Sequence, residues 1–173
     1  MKLPKKKKEK NVTLTDKPNI KVSENNCYKA INGKYFTDEY AYVEWKRENL
    51  YRERIIDNLA EVLGYEEGMK LPSFLFKKIK ELDGYYYEAI YLCLMDKIKD
   101  IRWALGNKNF KSEPSRISYV MAIISNNVLP YHKAVEIKIK REKSERKNII
   151  EEENLIIENK KQNTKDISKW LEE

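Results

Sequence analysis

Glycine and proline are scarce, at five each in 173 residues, and that scarcity argues against a turn-rich all-β fold. Cysteine occurs only at Cys27 and Cys93, too few for a disulfide framework, which fits a reducing cytoplasm. Cys27-Tyr-Lys-Ala30 has the spacing of a CxxC pair but lacks the second thiol, so a four-ligand zinc site is not expected. The single histidine, His132, has no serine or cysteine nucleophile beside it and follows Pro130-Tyr131 directly, a poor setting for a general base. No apolar run approaches the roughly 20 residues of a membrane span. The basic N-terminus leads into Asn11, Thr13, Thr15 and Asp16, not into the apolar stretch of a signal peptide. Neither the P-loop pattern nor GxGxxG occurs. The carboxylate pairs Glu66-Glu67 and Glu151-Glu152-Glu153 lie in loop-like or highly charged stretches and read as solvated surface. These absences set the expectation of a soluble cytoplasmic protein that is not an enzyme and needs no metal, cofactor or membrane.

What is present is charge, unevenly spread. Hydrophobic residues make up 41% and charged residues 36%, which allows one modest core with appendages. The twelve tyrosines are too many for a disordered chain, and the wealth of Lys, Ile, Asn and Glu is what an AT-rich genome would encode. The formal net charge is +7. Residues 1–21 carry eight lysines against Glu9 and Asp16, whereas residues 22–132 are balanced. Residues 133–147 hold seven basic side chains against three acidic ones, and residues 148–173 are net acidic. The body is therefore neutral and the ends carry the field. The run Lys5, Lys6, Lys7, Lys8, Glu9, Lys10 cannot fold alone, because like charges repel and nothing apolar offsets the ordering entropy. Such an arm suits a phosphate backbone, and it suits solubility equally well.

The periodicity predicts an all-α protein: a compact bundle of about five helices, with a basic disordered N-terminal arm and a long charged C-terminal helix. Its parts are an arm over 1–21, a helical core over 22–130 and a charged extension over 131–173. Tyr28, Ile31, Tyr35 and Phe36 are expected to form a short hairpin or lid, with Asn32-Gly33 at a turn. Thr37 or Asp38 caps a helix that runs to Leu63 and stops at Gly64. Its inward stripe is Tyr40, Val43, Tyr51, Ile55, Leu59, Val62 and Leu63, while Glu44, Glu48 and Arg52 suggest a solvated face. Further helices follow over 72–82, 85–97, about 100–105 and 112–129, the last broken by Pro130. Ile90, Leu94, Val120 and Ile124 should be buried, with Trp103 among them. Beyond Pro130, Val135, Ile139, Ile149, Ile150, Ile156 and Ile157 lie in a sea of charge, with Glu142 and Arg146 interrupting the stripe. That segment reads as a marginal helix ordered by a partner or by self-association through residues 133–161. Ile167, Trp170 and Leu171 share one face of a final segment and form a candidate protein-docking motif.

Basic residues near helix ends supply the candidate nucleic-acid contacts. They are Lys5, Lys6, Lys7, Lys8 and Lys10 in the arm; Lys70, Lys77, Lys78 and Lys80 around the N-terminus and outer face of the second helix; and Lys108, Lys111 and Arg116 near the fifth. Lys138 and Arg141 extend the set along the C-terminal helix. Residues 101–129 also allow a helix-turn-helix reading, although the connection is long and the second helix too apolar to lie exposed in a groove.

The stretches Tyr51-Arg-Glu-Arg through Gly68-Met-Lys-Leu-Pro, Trp103-Ala-Leu-Gly-Asn-Lys-Asn-Phe, and Ile117-Ser-Tyr-Val-Met-Ala-Ile-Ile-Ser-Asn-Asn resemble small proteins carried by phages and mobile elements of AT-rich bacteria. The resemblance covers roughly residues 35–128. It implies an accessory role in replication, transcriptional control or inhibition of a host defence complex, as anti-CRISPR proteins do. The leading expectation is a non-enzymatic accessory protein that contacts a DNA or RNA backbone through its Lys-rich ends. The alternative is a protein inhibitor docking on a host nucleoprotein effector complex.

Overall fold

The computed structural model describes residues 11–66 and 68–170, with side chains through residue 157. Two small antiparallel sheets precede four helices. β1 (Asn11–Thr13) pairs with β2 (Lys21–Ser23), and β3 (Tyr28–Lys29) pairs with β4 (Tyr35–Phe36). The helices are α1 (Glu39–Val62), α2 (Ser73–Lys80), α3 (Tyr87–Asn107) and α4 (Glu113–Trp170). The fold is thus mostly helical, and the all-α, five-helix expectation is corrected by the sheets and by two helix mergers.

The sheets form where short apolar anchors alternate with turn residues. Val12, Leu14, Ala30 and Phe36 are buried, so residues 11–14, assigned by sequence to the arm, are part of the folded body. Gly33 turns the β3–β4 hairpin in the left-handed region at φ +79°, a conformation that favours glycine. The expected hairpin is present, but Ile31 stands fully exposed at its tip. Phe36 carries the hairpin onto α1 through Tyr42 and Trp45, with ring centroids 5.3 and 5.5 Å away.

Asp38 caps α1 by accepting from the Ala41 N–H at 2.8 Å. Ile55, Leu59 and Leu63 supply its buried stripe, whereas Val43, expected inside, is exposed. Glu48, placed by sequence on a solvated face, instead accepts the Tyr87 N–H at 3.0 Å and so satisfies an open donor at the start of α3. Burial holds its carboxyl above the ordinary range.

The helices expected over 85–97 and 100–105 are one helix, α3. No glycine or proline separates them, and Cys93, Leu94, Ile101 and Ala104 continue a single buried stripe. Trp103 is not in the core: it falls on the far side of α3 from that stripe and is 67% exposed. Ile90, Leu94, Val120 and Ile124 are fully buried, as the periodicity requires.

α4 passes through Pro130 without a break. The proline removes one helical hydrogen bond and crowds the Asn126 carbonyl, a cost of about 3 kcal/mol or more in a helix interior. Buried Val128 precedes it and buried Val135 and Ile139 follow, so packing on the body holds both sides in register. Pro130 and Asn126 are both exposed, which leaves the freed carbonyl open to water.

Candidate functional site

The expected contact lysines sit in quite different surroundings. On α2, Leu75 and Ile79 face the core, which forces Ser73, Phe76, Lys77 and Lys80 outward at helical spacing. Lys70 is exposed just ahead of this helix. None of Lys70, Lys77 and Lys80 has a salt bridge among the described residues. Lys78 behaves otherwise: its ammonium reaches Glu81 at 2.7 Å and lies 5.7 Å from the Phe74 ring centroid. The outer face of α2 is therefore a compact basic strip around an exposed phenylalanine. Lys77, Lys78 and Lys80 occupy the last turn of α2 and not its N-terminus as expected, because the helix ends at Lys80; cations there favour the helix dipole, so part of their value is to the helix itself.

At the corner between α3 and α4, Lys108 donates to the Tyr119 hydroxyl at 2.7 Å and sits 4.2 Å over that ring. Lys111 is exposed. Arg116 is built into the fold: its guanidinium donates to the Leu63 carbonyl at the end of α1 at 2.6 Å and to Glu113 at 3.0 Å. Glu113 also accepts from the Tyr65 hydroxyl, and burial raises the Tyr65 pKa. Ile117, Val120 and Met121 are buried immediately beyond, so the start of α4 belongs to the core and is not a free recognition helix.

Further along α4 most of the positive charge over residues 138–147 is paired with a carboxylate. Lys140 pairs with Glu136 at 2.7 Å, Arg141 with Glu145 at 2.9 Å, Lys143 with Glu44 at 3.7 Å and Lys147 with Glu151 at 3.7 Å. Lys138 reaches Glu88, the buried carboxylate of the interior, at 2.7 Å. The hydrogen bond to Glu88 raises the Lys138 pKa. Glu142 accepts from Arg47 at 3.2 Å, and Arg146 lies 4.2 Å over the Tyr40 ring. The residues that interrupt the apolar stripe are thus polar contacts to α1. Burial, and after it the neighbouring Glu44 carboxylate, pushes the Tyr40 hydroxyl up to about 12.

Sequence reasoning placed Lys77 and Lys80 on the outer face of α2 because their spacing is local. It missed Trp103, whose exposure depends on how α3 sits between α1 and α4. It missed Glu88 as well, since a glutamate in an apolar helix gives no sign of its partner 50 residues away. Lys5, Lys6, Lys7, Lys8, Lys10 and Leu171 lie outside the described residues, as do the side chains of Ile167 and Trp170.

His132 lies inside α4. Its Nδ1 accepts the Tyr86 N–H at 3.4 Å, and its ring packs on Tyr85 and Tyr86 with centroids 5.3 and 5.0 Å away. Cys93 is buried, and burial pushes its thiol up to about 11. Among the described residues no group of three or more His, Cys, Asp or Glu side chains is placed to hold a metal ion, and no helix is long and apolar enough to cross a membrane.

No curated protein and no solved structure matches the chain. The family model described as SPbeta prophage protein YorH matches residues 4–169, nearly the whole length, and the chain therefore belongs to that prophage protein family.

Proposed function

We propose that the protein is a non-enzymatic prophage accessory protein that holds nucleic-acid backbones electrostatically. The observation that carries this reading is the outer face of α2, where Lys77 and Lys80 share the exposed side with Phe76 and Lys70 lies just ahead of the helix, none with a salt bridge among the described residues. Unpaired lysines release counterions from a phosphate backbone, whereas the internally paired cations of α4 must first give up a carboxylate. The Lys5–Lys10 run adds more of the same charge without reading bases.

The test is binding of unrelated DNA and RNA oligonucleotides across a salt series. Replacing Lys77 and Lys80 with Gln should weaken binding to every sequence alike. It should also flatten log affinity against log salt by about one unit per lost phosphate contact. The same substitution at Arg141, already paired with Glu145, should change the slope less. If the intact protein binds neither nucleic acid at low salt, the proposal fails. The reading that then stands is a protein-directed inhibitor docking on a host nucleoprotein complex, for which the exposed Ile149, Ile150, Ile156 and Ile157 offer an apolar surface.

A further inference from the structure

The last part of α4 carries an apolar stripe with carboxylates set into it. Ile149, Glu153 and Ile156 follow one another at steps of four and three residues, and Ile150, Glu153 and Ile157 at steps of three and four. Glu153 therefore stands in the middle of the four isoleucines, and Glu152 flanks Ile149 and Ile156 at the same spacing. All four isoleucines are about half exposed. Residues 148–157 hold three glutamates and no basic side chain. Glu151 meets Lys147 only at 3.7 Å, and neither Glu152 nor Glu153 has a salt bridge among the described residues.

That composition decides what can cover the stripe. A second stem laid on it, parallel in register or antiparallel about its centre, sets Glu153 against its own twin, and like charges brought together at an interface are costly. A polyanion is repelled by the same glutamates. The stripe fits a lysine-rich segment, whose aliphatic stems lie on the isoleucines while its ammoniums reach the carboxylates. The chain's own Lys5–Lys10 run, five lysines among six residues, has that chemistry.

Its point of attachment puts it within reach. The turn between β1 and β2 is held to the start of α1, where Asp16 accepts from both the Thr37 N–H and the Thr37 hydroxyl. Asp16 and Lys17 line one hollow together with Ile150 and Glu151 of the stem. β1 starts at Asn11, five residues before Asp16, so at most about 18 Å of chain separates the two. The ten residues ahead of Asn11 can span about 33 Å, whereas Ile149 to Ile157 is only about 12 Å of helix. We propose that the Lys5–Lys10 arm docks along the Ile149–Ile157 face of its own stem. A consequence, which rests on the backbone-binding reading above, is that nucleic acid must displace the arm from the stem before the arm can hold a phosphate.

The experiment is zero-length carbodiimide crosslinking of the full-length protein at low salt without nucleic acid, with the joined peptides mapped by mass spectrometry. The expected products are amides between the Lys5–Lys10 lysines and Glu151–Glu153, fading as added salt screens the pairing. A mixture of unlabelled and heavy-isotope-labelled protein should give these products without mixed labels, because arm and stem belong to one molecule. In the double variant Glu152→Gln, Glu153→Gln, the product at the untouched Glu151 should also fall, since the charge that draws the arm is gone. Both altered side chains are exposed, and an unchanged helical spectrum will show that the variant folds. The docking is overturned if the arm gives no products with the stem, or spreads them evenly over the protein's carboxylates. Mixed-label products, or a Glu151 product undiminished in the variant, overturn it too. Oligonucleotide added at saturation should diminish the arm–stem products, and products that persist overturn the displacement. Should the protein bind no oligonucleotide, the backbone-binding reading fails while the docking is still decided by the crosslinks.

Discussion

The two halves of α4 carry the same kind of apolar stripe and meet opposite fates. In the first half, Ile117, Val120, Met121, Ile124, Val128, Val135 and Ile139 all lie in the core. In the second, Ile149, Ile150, Ile156 and Ile157 keep helical spacing yet are about half exposed. Between them the stripe turns polar, and Glu142 and Arg146 meet Arg47 and Tyr40 of α1. Hydrophobic spacing alone therefore does not make a core. An apolar side chain stabilises only if another element stands opposite to remove it from water, and α1 begins at Glu39, level with this polar junction. Past that point Ile150 and Glu151 still line a hollow with Asp16, Lys17, Thr37 and Asp38, while Ile149, Ile156 and Ile157 stay about half exposed.

That contrast can be broken most forcefully from the body side. Ile124→Ala or Leu94→Ala should destabilise the protein by about 2–5 kcal/mol and lower its melting temperature by many degrees, as for other fully buried aliphatics. Ile156→Ala in the stem should stay within about 0.5 kcal/mol of the parent, the usual range for exposed substitutions. Equal effects at the two sites, read from denaturant unfolding, would show that the halves are not different after all.

Pro130 sharpens the comparison at smaller scale. Packing on both sides compels a helix through a residue that opposes it, so Pro130→Ala should restore the bond to the Asn126 carbonyl and raise stability by about 1–3 kcal/mol. A fall in melting temperature would show that α4 depends on the proline's geometry.

The smallest effect concerns the polar contacts of α1 rather than its apolar ones. Burial raises the Glu48 pKa in the folded state, so the fold holds that proton more tightly than the unfolded chain does. Its stabilising share is fully present below the unfolded value near 4.5 and is lost as pH rises through the higher folded value. Glu48→Gln keeps an acceptor for the Tyr87 N–H but cannot ionise. Melting temperatures of parent and variant between acid and neutral pH should therefore diverge, with the parent losing relatively more as pH rises. Parallel curves would mean that Glu48 does not titrate with folding.

Much of the helical body was legible because helices are local objects. The cap at Asp38, the stripe from Ile55 to Leu63 and the core positions on α3 and α4 all follow from spacing within a few turns. The α2 lysines were legible for the same reason: once Leu75 and Ile79 face inward, Lys77 and Lys80 must face out. Pairing was not legible. Arg116 bonds the Leu63 carbonyl, Arg47 meets Glu142 and Lys138 meets Glu88, each across 50 or more residues of chain. Nothing in local composition distinguishes those cations from the unpaired ones on α2.

The amino-acid sequence by itself determined the helical periodicities, the uneven charge and the lack of any assembled nucleotide or zinc motif, since each depends on neighbours within a few residues. Only the tertiary structure decided that α4 continues through Pro130, that Trp103 faces water and that Glu48 caps α3. The physical reason is common to all three. A local preference of one to a few kcal/mol yields when burial of several side chains on a distant element outweighs it, and which elements meet is a property of the whole chain.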